Sequence, residues 1–456
     1  MKRKSASSHL ERLPPELIYN ILCELDGLPT LRCAILTCRL LYNAFTWSPA
    51  KIATQTVFNE LDSYDVRPEA IAALQASKLT NPTPSSLLQF YKDYLQERNA
   101  KASIDLTMHE TVQISRLHYT VSRLAEDFGR TRLQSFVAME HGYRFQRLEP
   151  STPEKSRIMR ALYLVEAFFN SFRQTSRPDA QLRQCMDNFL LNFADWEVEQ
   201  IACVHDFLFL YVSPIFNDMA AHDVFWGESE VRPALRYSSH KMQCVLFKGL
   251  VALESIGKAK TYEQQRELFD NGRIPEGRIY NLYRALKKGF HYNRRVPSNQ
   301  DALVSSFDNS QDYAFKVKSP FFEDSDDGPF TVWKWAHNSK PLSRSAYDWD
   351  QSILRKGGYV MWDRARLNAS GILRNTWQPR VVRRSMPHDL IGEVNHETLR
   401  FSWAERSRIY GEGGIGWWDF GDESRIVWTR KKKELVKAPT VPTSLDEAKR
   451  VILDLR

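Results

Sequence analysis

Residues 151–172 read STPEKSRIMRALYLVEAFFNSF, and this stretch decides the fold class. Ile158, Leu162, Val165, Phe169 and Phe172 recur at steps of four, three, four and three, which lines one face of an α-helix. Ser151 offers a cap, Pro153 a helix-opening proline and Glu154 an acidic first turn. The same spacing returns further along the chain, in Val198, Ile201, His205 and Leu208, in Met242, Leu246, Leu250 and Leu253, and in Ile279, Leu282, Leu286 and Phe290. Strand signals are few from about 50 to 292, so this span is expected to be helical. No period repeats along it, which favours an irregular stack of helices over the helical-repeat families. Asn81 to Ser86 (NPTPSS) reads as a loop, and Arg294 to Asp312 as a polar linker.

On the N-terminal side lies a compact apolar block opened by Pro14-Pro15. Leu17, Ile18, Ile21, Leu22 and Leu25 predict a helix of about three turns that stops at Asp26-Gly27. Pro29-Thr30 open a second helix carrying Leu31, Ala34 and Ile35, and Arg39 to Phe45 reads as a third. Such a trio has apolar side chains on more than one face and wants a partner. Two readings stand side by side: the trio packs inward as ordinary core, or it offers an apolar surface to another protein. On the C-terminal side, nine of the twelve tryptophans follow residue 330, and FTVWKW (330–335) and RIVWT (425–429) read as short strands. Ser444 and Glu447 form a capping box that would start a closing helix over SLDEAKRVILDL (444–455). The expected class is therefore mainly α, with a three-helix block at 10–50, a helical domain at 51–292, a linker at 293–312 and an irregular α+β, Trp-rich region at 313–456.

Composition bounds the function. With 456 residues, 43% hydrophobic and 26% charged, the chain falls in the ordinary globular range and has room for two or three domains. Its six cysteines include no CxxC pair, which disfavours a disulfide framework or a zinc ribbon and predicts a reducing, intracellular home, cytoplasmic or nuclear. Glu11, Arg12 and Glu16 break the apolar run a signal peptide needs, and no stretch approaches the length of a membrane span, so no membrane is expected. The net charge of +8 is concentrated at the end, where residues 351–456 hold 20 Lys and Arg against 13 Asp and Glu. Arg430-Lys431-Lys432-Lys433 and Lys2-Arg3-Lys4 suit a solvated segment or a nuclear import signal. Tryptophans beside the first run admit single-stranded nucleic acid as a partner, against the more ordinary use of Trp in a core.

Motifs that would announce an enzyme fail on context. Gly411 to Gly416 spells GxGxxG but leads into WWDFGDE instead of opening a helix, and Asp419-Phe420-Gly421 follows it with no room for a kinase lobe between. Cys203 and His205, with Cys185, lack a second close pair to complete a tetrahedral metal site. Asp324, Asp326 and Asp327 precede Gly328 one position early for a calcium loop, and Trp335 stands where a bidentate Glu would be required, which leaves an acidic turn. No nucleophile, cofactor site or metal base can be nominated, and no enzymatic activity is expected.

The stretch LPPELIYNILCELDGLPTLRCAILTCRLLYNAF (13–45) resembles an F-box of the filamentous-fungal, F-box-like type. The correspondence runs through Leu13-Pro14, Glu16, Leu17, Ile18, Ile21, Leu22, Leu25, Leu28, Leu31, Cys38-Arg39 and Tyr42. It departs from the usual pattern at Gly27, where an acidic residue is common, and at Leu41-Tyr42, where a Trp is. GGYVMWDRARL (357–367) is similar to C-terminal segments of large fungal F-box-like families. The resemblance implies that the block docks on the Skp-type adaptor of a cullin-RING ubiquitin ligase and that the rest of the chain recruits a protein substrate. Leu13, Pro14, Leu17, Ile18, Ile21, Leu22, Leu25, Leu28, Leu31 and Tyr42 would be the adaptor-binding residues. The alternative is a helical scaffold or nucleic-acid-associated protein with a vestigial F-box.

Overall fold

A computed structural model describes residues 9–100, 104–139, 149–173, 179–190, 192–228, 240–269, 281–288, 324–337, 352–374, 376–377 and 396–428. The described chain is mainly helical, with one small antiparallel sheet near its C-terminal end. It divides into two compact units. The first comprises 1–212, 237–258 and 274–386, and the second 213–236, 259–273 and 387–456. These units cut across the compositional zones, since part of the Trp-rich zone belongs to the first unit and part to the second.

In the first unit the helices are α1 (Pro15–Cys23), α2 (Leu28–Thr37), α3 (Arg39–Trp47), α4 (Pro49–Asp62), α5 (Arg67–Ser77), α6 (Pro84–Ala100), α7 (Met108–Met139), α8 (Thr152–Phe172) and α9 (Ala180–Leu190). They are followed by α10 (Asp195–His222), whose last turns belong to the second unit. Pro214, two residues past that division, deprives α10 of one backbone hydrogen bond. The framework is α8, packed against α5, α7 and α9. The expected cap at Ser151 is present, and Glu154 closes it into a capping box: Ser151 Oγ accepts from the Glu154 amide at 3.3 Å and Glu154 Oε2 accepts from the Ser151 amide at 2.8 Å. At its other end Phe168, Phe169 and Phe172 join Phe189 and Phe247 in a ring cluster with centroids 4.9–6.0 Å apart. Most of the apolar window of α10 is likewise buried within the protein, and this is the one described helix long and apolar enough to cross a membrane.

The GGYVMWDRARL segment is bound to the start of α8 by charge. Arg157, wholly buried, donates to both oxygens of Asp324 at 2.6 and 2.9 Å, to Asp363 Oδ1 at 2.7 Å and to the Met361 carbonyl at 3.0 Å. Burial works to raise the Asp324 carboxyl, but the Arg157 bonds prevail and hold it below its ordinary range. The acidic turn thus serves as an internal counterion. Asp326 Oδ1 accepts from the Gly328 and Arg364 amides, both at 2.8 Å.

Four expectations need correction. FTVWKW is not a strand but the middle of α16 (Gly328–His337): Pro329, Val332, Trp333, Ala336 and His337 are its buried residues, a helical spacing that the alternating look of the six-residue run concealed. The segment from Met242 to Leu253 is two helices, α12 (His240–Leu246) and α13 (Leu250–Lys258), because the chain turns at Gly249 with φ +91°. The NPTPSS loop ends at Thr83, where Pro84 opens α6. The first helix of the trio ends at Cys23, three residues before the expected stop. The described remainder of the unit holds α15 (Leu282–Lys288), α17 (Ser352–Lys356) and α18 (Arg364–Ser370). The linker at 293–312, the closing helix at 444–455 and the basic run at 430–433 lie outside the described residues.

The second unit contains α11 (Val224–Glu228), α14 (Tyr262–Leu268), α19 (His396–Gly411) and the strands β1 (Gly414–Gly416) and β2 (Ile426–Trp428). The strands pair antiparallel with Ile415 opposite Val427. Val224, Ile409, Trp418 and Ile426 form its core, so the GxGxxG stretch is a turn and a strand beside aromatic packing. Arg406 fastens α19 to α11, donating to the Asp223 carbonyl at 2.8 Å.

Candidate partner-docking face

The three predicted helices α1, α2 and α3 are present and share a small core of Ile18, Leu22, Leu31, Leu41 and Ala44. The neighbour they require is α4, which contributes Ile52 and Ala53 to the same core. Asn59 of α4 secures the turn between α1 and α2, its Nδ2 donating to the Cys23 carbonyl at 2.7 Å and the Leu25 carbonyl at 3.0 Å. Gly27 in that turn has φ +146°, and a Cβ there would come within 2.9 Å of Glu60 Oε2. A side chain at this position would be strained and would crowd a carboxylate, which is the physical reason for a glycine in this turn.

The structure sorts the ten expected adaptor-binding residues into three groups. Ile18, Leu22 and Leu31 are buried, at 1%, 0% and 3% exposure, so they hold the block together and offer no surface, contrary to the expectation. Leu13, Leu25 and Leu28 are half-buried against the same core. Pro14, Leu17, Ile21 and Tyr42 are exposed, Leu17 at 47%, Ile21 at 41% and Tyr42 at 51%. Pro14, the residue before α1, and Leu17 and Ile21 within it stand at steps of three and four along one stripe. Two further apolar side chains, Leu36 (72%) and Trp47 (61%), are exposed at the ends of α2 and α3. Sequence reasoning passed over both, although Leu36 follows the inward-facing Ala34 and Ile35 and so must leave that face of its helix.

Beneath the turn, Glu60 and His118 face each other, with Oε1 and Nε2 3.9 Å apart. Burial, aided by the charge of Asp26, raises the Glu60 carboxyl to about 7. Burial lowers His118 to about 4, and its Nδ1 lies 2.8 Å from the Tyr163 hydroxyl. The pair is therefore neutral under mildly acidic conditions. No disulfide joins the six cysteines. Among the described residues no group of three or more His, Cys, Asp or Glu is placed to hold a metal ion. Cys203 and His205 are buried on α10. No protein-family model, curated protein or solved structure matches this chain.

Proposed function

We propose that this chain is a substrate-recruiting subunit of a cullin-RING ubiquitin ligase of the F-box type, docking on a Skp-type adaptor through α1 to α3. The observation that carries the reading is the division of α1: Ile18 and Leu22 close the core while Leu17 and Ile21, on the same nine-residue helix, remain open to solvent. A soluble protein gains nothing from paired exposed aliphatics on a short, proline-opened helix, whereas a helix laid in a partner's groove buries them. Burying a Leu or Ile fully yields about 1.5–3 kcal/mol, so these two half-exposed side chains with Tyr42 supply a useful share of a docking energy. The chain performs no chemistry in this reading. It holds a target lysine close to the ubiquitin-charged enzyme, and the gain is one of effective concentration.

The test is co-elution of the full chain with a filamentous-fungal Skp-type adaptor on size exclusion. The wild-type chain is expected to form a complex that the Leu17→Asp/Ile21→Asp variant loses, with helical content unchanged by circular dichroism. A complex that survives both substitutions removes the reading.

A further inference from the structure

The second unit contains an aromatic corner already occupied by a cation of its own. Tyr262 at the start of α14 and Trp417 after β1 meet edge to face, with ring centroids 5.3 Å apart and planes at 68°. The Arg425 guanidinium lies over both rings, its Cζ 5.4 Å from the Trp417 centroid and 6.0 Å from that of Tyr262. Neither ring is free to drift. His222 stacks on Trp417 with centroids 4.3 Å apart and planes 5° off parallel, and its Nδ1 bonds the Trp418 carbonyl at 2.9 Å. Tyr262 donates its hydroxyl to Oδ2 of the buried Asp223 at 2.7 Å, while Asp223 Oδ1 accepts from the Trp226 amide at 2.8 Å. Arg425 by contrast is an exposed side chain on a two-stranded hairpin, and its ring contacts are its described interactions besides the field of Asp422. A rigid site is thus filled by a replaceable occupant.

Among the described residues the surroundings are anionic on balance, with Arg266 as a cation that also acts on Tyr262. Residues 396–428 carry six Asp and Glu against four Arg, and one of those four, Arg408, is engaged by Glu405, Glu412 and Glu423. Asp218 and Asp419, both well exposed, lie 3.8 Å from the His222 ring. The basic excess of the C-terminal third therefore resides in residues other than these. A π-face with acidic neighbours attracts cations and repels phosphate.

We propose that the Tyr262–Trp417 corner is a binding site for an arginine side chain of a partner peptide, with Arg425 as the internal ligand that the incoming guanidinium displaces. No residue of α1 to α4 takes part, so the site stands or falls separately from adaptor docking. If the chain recruits substrates, an arginine-bearing peptide is the class of segment this corner would select.

The experiment is a fluorescence-anisotropy titration of the full chain with a labelled tri-arginine peptide and its tri-citrulline counterpart, which keeps the shape and loses the charge. Arg425→Ala vacates the corner and is expected to bind tri-arginine about 3- to 30-fold more tightly than wild type. Tri-citrulline is expected to bind neither protein, and adding Trp417→Ala to Arg425→Ala is expected to abolish the gain. Equal or weaker tri-arginine binding by Arg425→Ala overturns the proposal, as does citrulline binding as well as arginine. Oligo-uridine binding to wild type that is lost on Arg425→Ala would overturn it too, by showing Arg425 to be a phosphate ligand. Should the Trp417→Ala change unfold the unit, the comparison of wild type with Arg425→Ala decides alone, because the side chain at 425 is exposed.

Discussion

Helices α1 and α8 begin alike, each with a proline at its first or second position, an acidic residue in its first turn and a 3.6-residue apolar period, and they end in opposite roles. In α8 seventeen of the twenty-one residues are buried, among them Glu154, Arg157, Arg160 and Glu166, whereas α1 buries only two of nine. Each of these buried side chains of α8 has a polar partner: Arg366 for Glu154, Asp324 for Arg157 and Arg160, and the Leu250 amide with Arg173 for Glu166, although burial still raises the Glu166 carboxyl and lowers Arg160. The contrast teaches how to tell framework from surface. A buried ion held by partners from other elements belongs to the framework, and an exposed aliphatic pair beside a closed core leaves apolar surface in contact with water.

The sharpest break of this contrast is Arg157→Met. It takes the Arg157 guanidinium from Asp363 and from Asp324, to which only the longer 3.5 Å contact with Arg160 is left, and is expected to cost about 3–5 kcal/mol, read as a fall in the urea midpoint. Next is Leu22→Ala, which opens a cavity in the core of the trio. A loss of about 2–4 kcal/mol is expected, with hydrogen exchange quickening first in residues 13–47 and later in α8. Uniform loosening of both helices would erase the proposed distinction.

A pH titration sharpens it further at the joint between α4 and α7. Glu60 is raised in the folded chain, so its contribution is present below its unfolded value near 4.5 and is lost as pH climbs to about 7. His118 is depressed, so its contribution is present above 6.5 and is lost as pH falls towards 4. The two slopes oppose each other between 4.5 and 6.5. Glu60→Gln removes one of them, and its stability relative to wild type should rise by about 1–3 kcal/mol from pH 4.5 to pH 7.5, allowing for partial solvent screening. A constant difference across that range would show that Glu60 titrates normally. The smallest effect is expected at Leu17→Asp, within about 0.5 kcal/mol of wild type by the same denaturation, since the side chain is nearly half exposed at 47%. A large loss there would place Leu17 in the core and remove the surface on which the proposed function rests.

Much of the helical frame was legible from residues alone. The Ser151–Glu154 cap, the proline starts at Pro15 and Pro29 and the turn at Gly27 are local signals, and α8, α1 and α2 begin where they indicate. The candidate site was legible in part. The block at 13–45 stood out, but periodicity could not separate Ile18 and Leu22 from Leu17 and Ile21, because all four lie within two turns and only the position of α3 and α4 chooses among them. FTVWKW misled because six residues are too few to distinguish alternation from a helical face. The aromatic corner left no signal at all, since Tyr262 and Trp417 are 155 positions apart and neither belongs to a motif.

The sequence by itself determined where helices start, what caps them, that the class is mainly α and that a compact apolar trio heads the chain. Those features depend on hydrogen bonds and side-chain spacings that span four residues or fewer. Only the tertiary structure decided which apolar side chains are withdrawn from water, that Arg157 is neutralised by Asp324 and Asp363 from far along the chain, and that Arg425 rests on Tyr262 and Trp417. Burial and long-range pairing depend on what the neighbouring element places opposite a residue, and no local spacing records that.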